Sequence, residues 1–204
     1  MKEVLDGIFM WSRLSEPHGY DFNGYFLRHP DGNLAVDPVE PGEEDLQTLI
    51  KEGLSEILIT NRNHSRAANV LRDATGARTA IHRADADHAQ RQGCVIDEAM
   101  SSGEMHGPLL IIPAKGKSPG EVVLHWHERR LLFVGDAVIG NPPGELSLLP
   151  EDKLDDPAQL RDSLRALLDV DFDTLLLGDG EPLLSGAKAR LSALVESFPE
   201  ADGG

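Results

Sequence analysis

The 204 residues carry 35 acidic against 19 basic side chains, a formal net charge of −16, whose field repels polyphosphates and excludes nucleic acid and anionic membrane as partners. No apolar run approaches the ~18 residues of a membrane span, and acidic residues in Met1–Asp6 stand where a signal peptide carries its apolar segment, so the expected location is the cytoplasm. The single cysteine, Cys94, has no partner for an internal disulfide and no neighbouring base or cation to stabilise a thiolate, which reads as a half-buried structural thiol in a reducing compartment.

Residues 1–204 read as one domain with no linker, repeat or low-complexity segment. Short apolar runs at Gly7–Trp11, Phe22–Leu27 and Asn33–Asp37 predict strands, and His29-Pro30-Asp31-Gly32-Asn33 predicts a hairpin turn. Acidic Glu43, Glu44 and Asp45 suit a helix start, with Leu46, Leu49 and Ile50 at helical spacing before Gly53. Ile57–Ile59 is a short buried strand. Ala67, Val70, Leu71 and Ala74 give a second amphipathic helix closed by Gly76, and Thr79–His82 gives the next strand. This β-α-β-α-β order implies a crossover-connected sheet with helices outside it. Ala84–Gln92 predicts a short helix, Pro108–Pro113 a strand, and Glu121–His127 with Arg130–Val134 a hairpin. The loop Gly140–Glu145 leads to a helix with Leu160, Leu164, Leu167 and Leu168 on one face. Strand Thr174–Leu177 and a helix burying Leu191, Leu194, Val195 and Phe198 follow, and residues 200–204 read as a frayed end.

Four strand-end turns carry small or charged residues: Asn61–Arg66, Gly116–Gly120, Gly135–Ala137 and Gly178–Gly180. In a layered α/β fold such turns are where a site assembles, because a rigid sheet holds them. Together, with the hairpin Phe22–Asp37 ending in Asp37-Pro38, they resemble the metallo-β-lactamase superfamily and its glyoxalase-II-like hydrolases in particular. The resemblance covers nearly the whole chain and implies an α/β fold, a four-layer αββα sandwich of the metallo-β-lactamase type. It also places the family's metal ligands. The two leading histidines of its His-x-His-x-Asp-His loop fall on Asn61 and Asn63, its aspartate on Ser65 and its last histidine on Arg66. The third histidine falls on Lys117, the bridging aspartate is kept as Asp136, and the terminal histidine becomes Asp179. His64 occupies a variable position of the motif and replaces none of these.

Six of the seven ligand positions are therefore changed. A catalytic zinc needs about three protein ligands and an open position, whereas Arg66 and Lys117 bring positive charge where a dication would sit. The family geometry then implies that these two cations neutralise Asp136 and Asp179, with a Lys117–Asp136 contact and a polar cluster that includes Arg66 and Asp179. The expectation is a hydrolase-like protein that has lost its metal centre, with no metal, no cofactor and no catalytic residue assigned. Its pocket would hold a small polar or anionic ligand through Asn61, Asn63, His64, Arg66 and Lys117. Two alternatives stay open: a hydrolase with one weakly held metal on His64, Asp136 and Asp179, and a purely structural or dimerisation role. A homo-oligomer also stays open.

Other motifs carry less. Gly116-Lys117-Ser118-Pro119-Gly120 fits Gly-x-Ser-x-Gly, but a strand follows it and Pro119 has no N–H for an oxyanion hole. His125 and His127 share a face of one predicted strand and read as surface histidines, since no third ligand is near. His82 and His88 read as structural. His64 can titrate near neutrality and sits in the pocket loop, which makes it the histidine to keep as functional.

Overall fold

A computed structural model describes residues 1–199, so the frayed end expected at 200–204 lies outside the described residues. The chain runs β1 (Lys2–Leu5), β2 (Ile8–Ser15), β3 (Tyr20–Leu27), β4 (Leu34–Val36), α1 (Glu43–Glu52), β5 (Glu56–Ile59), α2 (Ala68–Thr75), β6 (Arg78–His82), α3 (Arg83–Arg91) and β7 (Glu98–Met100). These strands form one seven-stranded sheet in chain order. Next come β8 (Met105–His106), β9 (Leu109–Pro113), β10 (Val122–Trp126), β11 (Leu131–Phe133), α4 (Pro157–Leu167), β12 (Thr174–Leu176) and α5 (Ala187–Glu196), with a five-stranded sheet ordered β12-β11-β10-β9-β8.

The expected crossover unit is present: β4, β5, β6 and β7 pair in parallel, and α1, α2 and α3 connect them. Parallel neighbours need such crossovers, which place helices on the sheet face. Gly53 and Gly76 close α1 and α2 as the sequence indicates.

Three apolar layers explain the stacking. Tyr25, Leu27 and Leu58 of the first sheet meet Ile111, Leu124 and Phe133 of the second, so the two sheets share one dry interface. Behind the first sheet, Ile57, Ile59 and Ile81 pack on Leu49, Leu71 and Ala89 of the helices. Behind the second, Val123, Leu132 and Leu175 pack on Leu160, Leu164 and Leu191. A sheet buried on both faces requires near-continuous apolar strands, and β5, Glu56-Ile57-Leu58-Ile59, has that composition. The result is the helix–sheet–sheet–helix sandwich expected from the sequence.

Several local expectations are corrected. Strands β1, β7 and β8 are absent from the sequence reading because Lys2–Leu5, Glu98–Met100 and Met105–His106 are short and polar; edge pairing rather than apolar pattern makes them strands. His125 and His127 do not share a strand. β10 ends at Trp126, and His127–Arg129 form a 3-10 turn closed by Arg130 at φ +49°. His125 is buried, with Nε2 3.1 Å from the Asp171 carbonyl, while His127 is exposed. Cys94 is buried rather than half-buried, because it packs into the layer under α2 and α3, and that burial pushes its thiol up. Among the described residues, no helix is long and apolar enough to cross a membrane.

Candidate functional site

The carboxyl ends of β5, β9, β11 and β12, with the amino end of β10, border one region where the two sheets meet. Antiparallel bridging of Phe22 to Asp179 and a bond from the Asn23 N–H to the Gly178 carbonyl (2.8 Å) stitch the sheets together there. Asn23 Nδ2 adds bonds to the carbonyls of Leu177 (3.0 Å) and Gly180 (2.7 Å), which fixes the turn bearing Asp179.

His64 lies at the centre with no solvent exposure. Its Nδ1 is 2.9 Å from Asp37 Oδ2, and its Nε2 is 3.0 Å from Asp136 Oδ1 and 3.9 Å from Asp179 Oδ1. Burial, the largest influence, and the Arg66 guanidinium push the imidazole down, but Asp136 and Asp37 outweigh both and raise it to about 10. An imidazolium donating from both nitrogens is the species that fits two flanking carboxylates. His64, the histidine singled out in the pocket loop, is the hub of this cluster. The sequence placed it at a position free of family chemistry, and only folding brings Asp37 and Asp136 to its two nitrogens.

Two cations close the cluster. Arg66 Nη2 lies 2.9 Å from Asp179 Oδ1, with its guanidinium over the Phe22 ring at 4.2 Å. Lys117 Nζ lies 3.5 Å from Asp136 Oδ2 and donates to Asn63 Oδ1 at 2.8 Å. Asp136 pairs with both His64 and Lys117. Although burial works to raise it, His64 and then Lys117 hold its carboxyl well below the ordinary range. Burial and the Asp136 charge push Asp179 up, and His64 and Arg66 oppose that rise. Three cations thus face three carboxylates at Asp37, Asp136 and Asp179.

The remaining expected residues divide. Asn61 is fully buried, donating through Nδ2 to Glu121 Oε1 (3.3 Å) and accepting the Asn63 N–H at 2.9 Å, so it braces the loop from inside. Asn63 is exposed and touches the cluster only through Lys117. Ser65 is half-buried and gives its carbonyl to the Ala68 N–H, and no hydrogen bond from its hydroxyl joins the cluster among the described residues. Ser118 is buried and donates its hydroxyl to Asp85, a bracing bond rather than a poised nucleophile.

Four further residues have no site role in the sequence analysis. Asp37 has a positive φ of 47°, an uncommon conformation for a side chain larger than glycine, and is held by donation from the Thr60 N–H (2.8 Å) and hydroxyl (2.6 Å). Thr60 is its partner. Asp85 accepts from the Arg62 N–H, the Ser118 hydroxyl and the Gly120 N–H, tying two of the strand-end loops to α3. Glu121 accepts from the Asp136 N–H at 2.9 Å, has no partner on Oε2, and is pushed well above the ordinary range by burial and by Asp136. The available signal was position: Asp37 and Asp85 also follow strand ends, and Glu121 closes the Gly116–Gly120 turn.

Gly178 shows how tightly the hub is enclosed, since a Cβ there would stand 2.5 Å from His64 Cε1. Gly178→Ala is expected to destabilise the fold by about 1–3 kcal/mol and to displace the imidazole. Urea unfolding and the His64 ring NMR signals would check this, and an unshifted ring signal would contradict it.

His64, Asp136 and Asp179 each offer one donor atom within 4.8 Å of the others, the only such group of three among the described residues. Each donor is already engaged by a proton-bearing cation: Asp179 by Arg66, Asp136 by Lys117, and His64 by its own second proton. A dication with those partners in place would add charge to a balanced cluster, so the residues fit a metal only after deprotonation of His64 and displacement of the two cations.

An open cleft of about 440 Å³ lies between the β2–β3 hairpin and the loops at 140–143 and 180–182, lined by none of the six charged residues of the cluster. Its base is rigid, because a Cβ on Gly140 would meet the Glu181 carbonyl at 2.1 Å and one on Gly180, at φ +81°, would meet the Gly140 carbonyl at 2.4 Å.

Comparison with known proteins follows the same lines. The sequence profile of the metallo-beta-lactamase superfamily matches residues 2–198. A hydroxyacylglutathione hydrolase of Cereibacter sphaeroides (strain ATCC 17025 / ATH 2.4.3) is 30% identical over 182 residues, covering 85% of this chain and 68% of that protein. A hydroxyacylglutathione hydrolase of a second strain is 32% identical over 61% of this chain, which spans 51% of it. Among solved structures, a metallo-beta-lactamase from Erythrobacter litoralis superposes with a TM-score of 0.75 at 17% identity, covering 97% of this chain and 96% of that one. A metallo-beta-lactamase of Pseudomonas aeruginosa in its mono-zinc form gives 0.75 at 17% identity, with 97% and 95% covered. These last two likenesses concern the fold.

Proposed function

Because the chain belongs to the metallo-beta-lactamase superfamily, we propose that it is a hydrolase-like member in which an internal ion network stands in for the metal centre, and that it binds a small polar ligand without metal-dependent hydrolysis. One observation carries this reading. Arg66 Nη2 and Lys117 Nζ lie 2.9 and 3.5 Å from the two carboxylates that a metal would need, with His64 held between three acids. A paired buried charge is tolerable, whereas removing its partner costs several kcal/mol, so the network resists exchange for a dication. Without metal, water has no Lewis acid to lower its pKa, and His64 as a buried imidazolium has no free lone pair to act as a base.

A second reading has its own support. The same three side chains converge, and Asp37 sits behind His64 as the outer carboxylate that metal-bound histidines usually have. It assigns a single, weakly held metal to the site.

Metal analysis of protein purified without chelator separates the two. The first reading expects zinc, iron and manganese far below one per chain; stoichiometric metal would refute it. The same preparation should leave hydroxyacylglutathione, the substrate named by the relatives, unhydrolysed above background. The double variant Arg66→His, Lys117→His removes both cations and adds two imidazole donors. It is expected to retain zinc through dialysis where the parent protein does not.

A further inference from the structure

We propose that His106 and Glu56 form a pH-sensitive latch between the two sheets, closed while His106 is protonated and released, together with the β8 edge, when the proton is lost. The inference lies outside the candidate site and holds whether or not that site binds metal.

The latch sits at the far end of β5 from the ion network. That strand carries Glu56 at its amino end and runs at its carboxyl end into the loop bearing Asn61 to Arg66. Side chains alternate along a strand, so Glu56 shares the face of Leu58, which packs in the sheet–sheet interface. Arg78 shares that face with Ala80, and Glu98 with Met100. His106 reaches the same layer from β8, the edge of the second sheet, where it pairs with Leu109. Its Nδ1 lies 3.1 Å from Glu56 Oε1, and each of the two residues is only 7% exposed. An ion pair thus ties an interior strand of one sheet to a two-residue edge strand of the other.

The charges around the pair make the imidazole proton necessary. Glu56, Glu98 and Glu104 border an open recess of about 360 Å³ together with Arg78 and His106. The neighbouring positions of β4 and β9, Leu34 and Leu109, carry no charge. Arg78 stands 3.9 Å from Glu56 and 3.3 Å from Glu98, and its side chain is 66% exposed, so its charge is shared and screened by water. His106 is therefore the close counter-charge of the buried Glu56 carboxylate. The Glu56 hydrogen bond raises the imidazole, burial opposes that, and the charges of Glu56, Glu98 and Glu104 add to the rise. Once the proton is lost, Glu56 faces two further carboxylates from inside the sheet interface, the costly state for a buried charge. The recess opens to solvent, so the proton has a path to water.

What the latch holds is small. β8 meets β9 through the pairs Met105–Leu110 and His106–Leu109, flanked by bonds from the Gly103 N–H to the Ile111 carbonyl (2.8 Å) and from the Ile111 N–H to the Glu104 carbonyl (2.9 Å). Short edge segments open locally at low cost, so loss of the ion pair is felt there first. Because the folded His106 value is raised above the ordinary 6.5, the latch contributes fully below about pH 6.5 and fades as pH rises through the folded value.

Amide exchange with solvent in the full chain, read by NMR as protection factors at Gly103 and Ile111, tests this at about pH 6 and about pH 8.5, below the range in which His64 gives up its proton. Protection is expected to fall about tenfold between the two, following the titration of the His106 ring signals at a midpoint above 6.5. His106→Gln keeps a hydrogen-bond donor without the charge and should show the lower protection at both pH values. Glu56→Gln should lower the His106 midpoint toward 6.5. Should a variant fail to fold, the parent's ring titration and protection profile carry the test by themselves. A parent midpoint at or below 6.5, pH-independent protection, a His106→Gln variant that still follows pH, or an unchanged midpoint in Glu56→Gln would each overturn the proposal. Metal content does not enter these readouts, so failure of the metal-free reading leaves the latch standing, and failure of the latch leaves that reading untouched.

Discussion

His64→Ala is expected to lower the unfolding free energy by about 3–5 kcal/mol near pH 6, and by much less near pH 10. The imidazole is fully buried between Asp37 and Asp136, and its removal leaves two carboxylates facing a cavity. Its folded pKa of about 10 lies above the ordinary 6.5. The stabilisation it contributes is thus complete below about pH 6.5 and is lost as pH rises through 10. Asp136 has the opposite sign: its carboxyl is depressed, so its contribution is present above the ordinary carboxylate range and is lost in strong acid. Urea unfolding of the parent and variant at the two pH values gives the test as a difference, which cancels groups common to both. A cost that is the same at pH 6 and pH 10 would mean that His64 is neutral in the folded protein, and the ion network as described would fail. His64→Gln keeps volume and hydrogen bonding but not charge, and should fall between the two.

Asp85→Ala should cost about 3–5 kcal/mol, although Asp85 touches none of the three cations. Its carboxylate accepts from the Arg62 N–H at 2.9 Å, the Gly120 N–H at 2.9 Å and the Ser118 hydroxyl, with no exposure to water. Removing it orphans three donors at once, two of them buried and two of them backbone groups that cannot turn elsewhere. Those donors sit in the loops that carry Arg66 and Lys117, so the loss also loosens the Lys117–Asp136 contact. Asp85→Asn keeps one acceptor oxygen and should lose roughly half as much. Ser118→Ala deletes one donor and its bond together and should cost about 1 kcal/mol. Denaturant unfolding of the three variants checks the ranking; a Ser118→Ala loss larger than that of Asp85→Ala would show that the serine, not the acid, organises these loops.

Both predictions bear on what holds the strand-end loops of this fold together. A dication and its ligands form a compact, charge-balanced core that locks strand-end loops together. Here the locking is divided. Asp85, Glu121 and Asn61 hold the loops through neutral donors, while His64, Arg66 and Lys117 supply the positive charge.

Much of this molecule is legible in the chain because its signals are local. The alternation of apolar runs with amphipathic helices specifies β4-α1-β5-α2-β6, and glycine at 53 and 76 ends the helices wherever the segment folds. The order of the strand-end turns identified the fold, and the substitutions at 66 and 117 put positive charge where the family's metal ligands stand. The pairing of His64 with Asp37, and the roles of Asp37, Asp85 and Glu121, were not readable, because each depends on a partner far away in sequence: Asp37 lies 23 residues before Thr60, and Asp85 lies 33 before Ser118. His125 was misjudged for the same reason, since a strand's period says which residues share a face but not whether that face is covered. Sequence by itself determined the elements, their order and the charge inventory of the loops. Only the tertiary structure decided which charges pair, because burial and hydrogen-bond geometry are set by surfaces that meet when the two sheets close on each other.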